Sequence, residues 1–349
     1  MLTSLDPPEF MQEAERFPLV DVRSPVEFHR GHIPGAVNIG LFTDEERAAV
    51  GTLYRRQSHE SAYQAGLEYV GPKLGQLVEA VSNISPEKKV CLYCLRGGMR
   101  SRNFAFLLQS AGFRVVLLKG GYKAWRQMVL RNFEKPRLIV VLGGLTGSGK
   151  TAILNGLSHP LLKTIDLEGL ARHKGSVFGG IGEEEQPTSE HFENLLHQQW
   201  NKIPEKHVLM LEDENMDIGR VKLPLSVYRL IRKAPVIVAE VVRSKRIHRL
   251  VNAYSGRPED LIAGIRKIER RIGSLRMKEA IAAVSRADFQ QAAETLLDYY
   301  DESYRASLNK RDAGSLLRFP LSDPESPQQI GELAEAALSH AKIIWNISK

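Results

Sequence analysis

"RLIVVLGGLTGSGKT", residues 137–151, decides how the larger part of this 349-residue chain is read. Its first half is an apolar, β-branched run of the length of one buried strand. Its second half, 144–151, fits G-x-x-x-x-G-K-[ST] at every fixed position. Gly144, Gly147 and Gly149 let the backbone curl with its N–H groups inward, with Ser148 inside the turn. "KTAILNGLS" (150–158) then opens a helix whose positive end faces the same point. Lys150 adds a point charge, and Thr151 a hydroxyl able to ligate Mg2+. Strand, loop, Lys-Thr and helix together predict a phosphate-binding loop on an α/β sheet. Such a loop recognises a polyphosphate, not a nucleotide as such. No adenine or guanine pocket is read from the sequence, so a nucleoside triphosphate and any other diphosphate both stay open as ligand.

Toward the C-terminus, "KHVLMLEDE" (206–214) and "APVIVAEVV" (234–242) read as further strands of the same sheet. The first ends in Glu212, Asp213 and Glu214, and Asp213 is the expected partner of Thr151 on a magnesium ion. "GSVFGGIG" (175–182) has four glycines alongside the apolar Val177, Phe178 and Ile181, the composition of a flexible lid. From about 256 to 312 the pattern is mostly helical. Toward the N-terminus, "RQMVLRNFEKPR" (126–137) reads as a helical connector ending at Pro136.

Before that connector a second α/β pattern is complete near Trp125. "FPLVDVRS" (17–24), "GAVNIG" (35–40), "KKVCLYC" (88–94) and "RVVLLKGG" (114–121) read as strands. "GPKLGQLVEAVSN" (71–83) and "SRNFAFLLQSAG" (101–112) read as helices, the latter stopping at Gly112. Strands alternating with helices imply parallel sheets. The expected organisation is a domain over 1–130, a linker over 131–136 and a second domain over 137–349, as the length also suggests.

"CLYCLRGGMRS" (91–101) holds both cysteines of the chain. A cysteine at a strand end, followed by a glycine pair and then a helix, sits where backbone amides roll toward the thiol. Helix N-termini and guanidinium groups favour the thiolate, the reactive form. Cys94 therefore reads as a nucleophile that handles an anion, with Arg96 and Arg100 nearby. Cys91 lies inside the strand, three residues back, so its side chain takes the opposite face and a structural role.

Composition sets the class. Hydrophobic content of 43% and charged content of 26% are those of a globular protein. No run of 18 apolar residues exists, the start lacks a secretory pattern, and two cysteines make no disulfide framework. The expectation is a cytoplasmic protein. The net charge is +7, and residues 220–278 alone hold sixteen Lys or Arg against four Asp or Glu. That local excess is larger than the whole-chain value and points to a nucleic-acid face.

Residues 21–38, "DVRSPVEFHRGHIPGAVN", and 120–125, "GGYKAW", resemble the signatures of the rhodanese family, and Cys94 falls on its catalytic position. One departure matters. Five residues, not the usual four of sulfurtransferases, separate Cys94 from Arg100, which is similar to rhodanese-fold phosphatases and suits a tetrahedral, phosphate-sized group. Longer strings, among them 46–70, 94–101, 143–151, 166–180, 212–224 and "YYDESY" (299–304), resemble the tRNA 2-selenouridine synthase family over nearly the whole chain. The fold class implied is α/β: an N-terminal rhodanese-like parallel-sheet domain and a C-terminal P-loop NTPase-like domain with a helical end.

That resemblance implies a transferase acting on the wobble uridine, in the anticodon region of tRNA, that already carries a 2-thio group. Geranyl diphosphate alkylates the sulfur, and selenophosphate then supplies the selenium. Cys94 would take selenium and hold it as a selenylated cysteine, with Arg96 and Arg100 on the phosphate. Lys150 would neutralise the diphosphate leaving group, with Gly144, Gly147, Ser148, Gly149 and Thr151 around it and Mg2+ on Thr151 and Asp213. Segment 175–182 would cover the prenyl chain. Three rivals stay open: a small-molecule phosphatase or kinase-like enzyme, an ATP-dependent tRNA sulfurtransferase using a Cys94 persulfide, and a non-catalytic binding module.

Overall fold

The computed structural model describes residues 2–254 and 256–345. The chain divides into two compact units, one ending at Asn132 and the other starting at Phe133.

The first unit is built on five strands: β1 (Leu2–Leu5), β2 (Leu19–Asp21), β3 (Val37–Asn38), β4 (Lys89–Tyr93) and β5 (Arg114–Leu118). They form one parallel sheet in the order β1-β5-β4-β2-β3. β4 is central and buried from Val90 to Tyr93, which is why "VCLY" is a continuous apolar run rather than an alternating one. Val90, Leu92 and Cys94 share an apolar cluster with Val20, Val115 and Phe104 that does not include Cys91. β1 is half-exposed at the sheet edge and exists only through its pairing with β5, so its four residues carry no strand signal of their own.

The second unit contains β6 (Ile139–Gly144), β7 (Leu162–Thr164), β8 (Val208–Glu212), the short hairpin β9 (Asp217–Ile218) and β10 (Val221–Lys222), then β11 (Val236–Glu240) and β12 (Leu316–Pro320). Its main sheet is parallel, in the order β12-β11-β6-β8-β7. β6 is thus central, and its C-terminal end delivers the glycine-rich loop. The helices Arg243–Tyr254, Pro258–Lys267, Glu269–Ile272, Ser274–Ser285 and Phe289–Leu308 follow β11 and enclose a separate apolar cluster around Ile265, Val284 and Leu296.

The expected connector at 126–137 takes a different form. One helix spans Gly121–Asn132, starting at the glycine pair, and belongs to the first unit. Phe133 opens the second unit and packs edge-on against His197 and Trp200 at 5.8 and 5.6 Å. Among the described residues no helix is long and apolar enough to cross a membrane.

Candidate functional site

Cys94 follows β4 directly, and residues 95–98 form the loop to the helix Met99–Ser110. Cys94 is 3% exposed, and its Sγ lies 3.1 Å from the Ser101 hydroxyl, one turn into that helix. The loop is held from behind. The amides of Tyr122 and Lys123, at the N-terminus of the helix that starts at Gly121, donate to the carbonyls of Cys94 and Leu95 at 2.9 and 3.0 Å. Gly121 has φ +62°, and a Cβ there would run into Cys94 O and the amide nitrogens of Gly97 and Arg96. This is the physical content of "GGYKAW": a side-chain-free surface and two helix-start donors that hold the cysteine loop in shape.

The early signature supports the same loop. Arg23 and Asp21 form a buried pair at 2.6 Å, and the Arg23 guanidinium lies 3.9 Å from the Tyr122 ring centre. Glu27, within a capping box begun by Ser24, accepts from Arg100 at 2.6 and 3.4 Å. Burial would raise the Glu27 carboxyl, yet hydrogen bonding to Arg100 and the charges of Arg100 and Arg47 hold it below the usual carboxylate range. The expected anion ligand Arg100 is therefore tied to Glu27, and an incoming anion competes for it. Arg96 is exposed. Cys91 is fully buried, and its thiol is pushed up to about 12, first by burial and then by Glu13. That leaves it unreactive.

In the second unit, Gly144, Gly147 and Gly149 all adopt positive φ, at 157°, 80° and 81°, and Lys150 starts the next helix. Helical geometry leaves the first amides of that helix without intrahelical partners. Lys150 Nζ bends back over the loop to 3.4 Å from Gly144 O. Gly144 and Ser148 line the cavity and also make bonds within the protein. The Gly144 amide donates to the Tyr304 hydroxyl at 2.9 Å. Ser148 donates its amide to Leu145 O at 3.0 Å, and its side chain is buried with only 1% of the residue exposed.

The string "YYDESY" on the helix Phe289–Leu308 explains how the loop is fixed. Besides receiving the Gly144 amide, the Tyr304 hydroxyl donates to Asp213 Oδ2 at 3.2 Å. Asp301 holds Arg246 through two bonds of 2.9 and 2.7 Å, and Arg246 donates to Thr146 O at 3.0 Å. Both members of that pair are buried.

Asp213 does not take the role expected of it. Its carboxylate is 2% exposed and is occupied by Arg311, Arg232 and Tyr304. The carboxylates near Thr151 are Glu168 and Glu214. Thr151 Oγ1 donates to Glu168 Oε2 at 3.4 Å. Glu214 is buried and pushed up to about 8 by burial, then by the Glu168 charge, while Lys150 pulls it down. Among the described residues no group of three or more His, Cys, Asp or Glu is gathered for a metal. Thr151 and Glu168 nonetheless offer the hard oxygen donors that Mg2+ takes, with phosphate oxygens completing its shell. Glu168 lies within 166–180, one of the strings that resemble the tRNA 2-selenouridine synthase family. Its nearness to Thr151 comes from the fold, since 17 residues separate them.

A cavity of about 720 Å³ opens from this loop. Gly147, Gly149, Lys150 and Thr151 line one part, and Phe178, Leu261, Ile265 and Leu296 line another. Segment 175–182 supplies part of the wall: Phe178 is 7% exposed and belongs to the apolar cluster of the C-terminal helices. Asn309-Lys310-Arg311-Asp312 spells N-K-x-D, the form of a guanine-reading motif. It follows a helix rather than a strand, Arg311 pairs with Asp213, and the Asp312 side chain caps the turn Ala313–Ser315.

The basic region 220–278 is partly neutralised within the protein. Arg220, Lys222, Arg232, Arg243, Arg246 and Arg249 all form ion pairs.

Comparison with known proteins agrees with this geometry. Residues 6–128 match the rhodanese-like domain model, and residues 137–319 match the model of the tRNA 2-selenouridine synthase AAA domain. A tRNA 2-selenouridine synthase of Nitrosomonas europaea is 38% identical over 247 residues, covering 68% of this chain and 63% of that protein. One of Bdellovibrio bacteriovorus is 34% identical, covering 87% and 92%, and one of Salmonella newport 35% identical, covering 88% and 93%. With a cysteine loop on a rhodanese-like sheet, a P-loop on a second sheet and matches along most of its length, this chain belongs to the tRNA 2-selenouridine synthase family.

Proposed function

We propose that this protein converts 2-thiouridine at the tRNA wobble position to 2-selenouridine in two transfers. In the first, the thiocarbonyl sulfur attacks C1 of geranyl diphosphate, the C–O bond breaks and diphosphate leaves. Loss of the N3 proton gives a neutral S-geranyl group. In the second, selenium from selenophosphate adds at C2 and geranyl thiol departs, and water releases phosphate from selenium. The order makes chemical sense, because a thiocarbonyl sulfur leaves poorly until it is alkylated.

The observation that carries the reading is the continuous cavity from the P-loop to the apolar wall around Phe178 and Leu296. A diphosphate with a hydrocarbon tail matches both ends, whereas the ribose and base of a nucleotide would leave polar groups against apolar carbon. Lys150 and the helix-start amides stabilise the charge that develops on the leaving diphosphate. Mg2+ on Thr151 and Glu168 would add to that neutralisation. Cys94, in a loop sized for a tetrahedral anion, is assigned to the selenophosphate half, with Arg96 and Arg100 on the phosphate.

The test is mass spectrometry of tRNA nucleosides after incubation with geranyl diphosphate, selenophosphate, or both. Geranylated nucleoside with the first alone, and selenouridine only with both, is the expected result. Selenouridine formed without geranyl diphosphate would remove the P-loop from the reaction.

A further inference from the structure

The tRNA reading needs a surface that binds a polyanion, and the charge count along the chain does not locate it. A cation already paired within the protein releases few counterions when RNA arrives, so unpaired, exposed cations decide the matter. By that criterion the basic region separates into two parts. Arg243, Arg246 and Arg249, on the helix Arg243–Tyr254, are engaged with Asp298, Asp301 and Glu325. Lys245 donates to Ser322 O at 2.6 Å. Between residues 266 and 286 the situation is reversed. This stretch carries seven Lys or Arg against two Asp or Glu. Arg266, Lys267, Arg270, Arg271, Lys278 and Arg286 are exposed, and the described structure gives none of them an ion-pair partner. Leu275, 71% exposed, stands among them. An apolar side chain open to water within a basic surface suits contact with an unstacked base.

The same elements wall the cavity. Ile265 and Ile268 are buried and line it, while Arg266 and Lys267, next to them in sequence, are exposed. Arg271 is both exposed and cavity-lining. Resting on the tRNA substrate proposed above, we infer that the outer faces of the helices Pro258–Lys267, Glu269–Ile272 and Ser274–Ser285 form the RNA-binding surface. The phosphates on either side of the target nucleotide would lie against these cations, which places the uridine beside the prenyl donor.

The experiment measures binding of fluorescein-labelled tRNA to the full-length protein by anisotropy across a KCl series. The variant Lys267→Gln/Arg270→Gln/Lys278→Gln removes three patch charges. The control Arg220→Gln/Lys222→Gln/Arg318→Gln removes three exposed charges that are paired within the protein. Expected is a loss of about tenfold or more at moderate salt for the patch variant, with the slope of log K against log salt reduced by about 2. The control should stay within about twofold in affinity, with its slope unchanged. Lys267→Arg/Lys278→Arg should bind like wild type, separating charge from packing, and equal thermal midpoints exclude misfolding. Wild-type affinity and slope in the patch variant would overturn the surface while leaving the tRNA reading in place. Absence of salt-dependent tRNA binding by the wild type would instead overturn that reading and the surface with it.

Discussion

The two loops proposed to receive anions are built on opposite plans. The Cys94 loop is closed. Its carbonyls are taken by the helix starting at Gly121, its expected arginine is held by Glu27, and its thiol is buried beside Ser101. The P-loop is open toward a cavity of about 720 Å³ and is braced from behind by Tyr304 and Arg246. A tight, sulfur-bearing pit suits a small reagent that reacts at the loop itself. A braced cradle with an apolar annex suits a reagent held by its head while its tail is handed on. The difference teaches that local anion-binding geometry fixes which charge is held, and the space beyond it fixes what that charge is attached to.

The comparison breaks most sharply if the two loops are exchanged in function. Cys94→Ala should abolish selenium incorporation while S-geranyl-tRNA forms within about twofold of wild type, whereas Lys150→Ala should slow geranylation by about 10²–10³-fold. Liquid chromatography with mass spectrometry of digested tRNA reads both products. Because geranylation comes first, Lys150→Ala should lose both products; loss of S-geranyl-tRNA in Cys94→Ala as well would merge the two sites into one.

A smaller effect is expected from the brace. Asp301→Asn strips the buried Arg246 of its counter-charge, which should destabilise the second unit by about 3–5 kcal/mol. Chemical denaturation followed by intrinsic fluorescence measures this, and an unchanged midpoint would mean that Arg246 finds another partner.

The smallest effect sharpens the electrostatics of the open site. In the folded protein Glu214 keeps its proton up to about 8, whereas unfolded it gives the proton up near 4.5. The folded state therefore binds more protons between those values, and this stabilising contribution, full below 4.5, is lost as pH rises through 8. Glu214→Gln lacks this dependence, so its melting temperature relative to wild type should rise by roughly 2–4 °C per kcal/mol lost between pH 6 and pH 9. A constant offset across that range would show that Glu214 titrates normally.

Much of the candidate site was legible because its signals are local. The P-loop follows from eight consecutive residues, and the Cys94 loop from eleven. What the sequence leaves unannounced has a common cause. Asp213 is correctly placed at a strand end, but the direction of its carboxylate is set by Arg232, Tyr304 and Arg311, which lie 19, 91 and 98 residues away. Nothing near Glu168 in the chain announces Thr151, 17 residues away. The motif likewise says nothing about the bond from the Ser148 amide to Leu145 O.

By itself the sequence determined two parallel α/β units, a glycine-rich P-loop turn at 144–151 and a cysteine set between a strand end and a helix start, since periodicity, glycine spacing and helix starts are properties of short segments. Only the tertiary structure decided which groups surround those turns. Tyr304 reaches Gly144 across 160 residues, Phe178 joins a wall made of distant helices, and the arginines of 220–278 divide into paired and free. Charge and hydrogen-bond capacity belong to a residue type, but whether they are already satisfied depends on neighbours that the fold brings together from far along the chain.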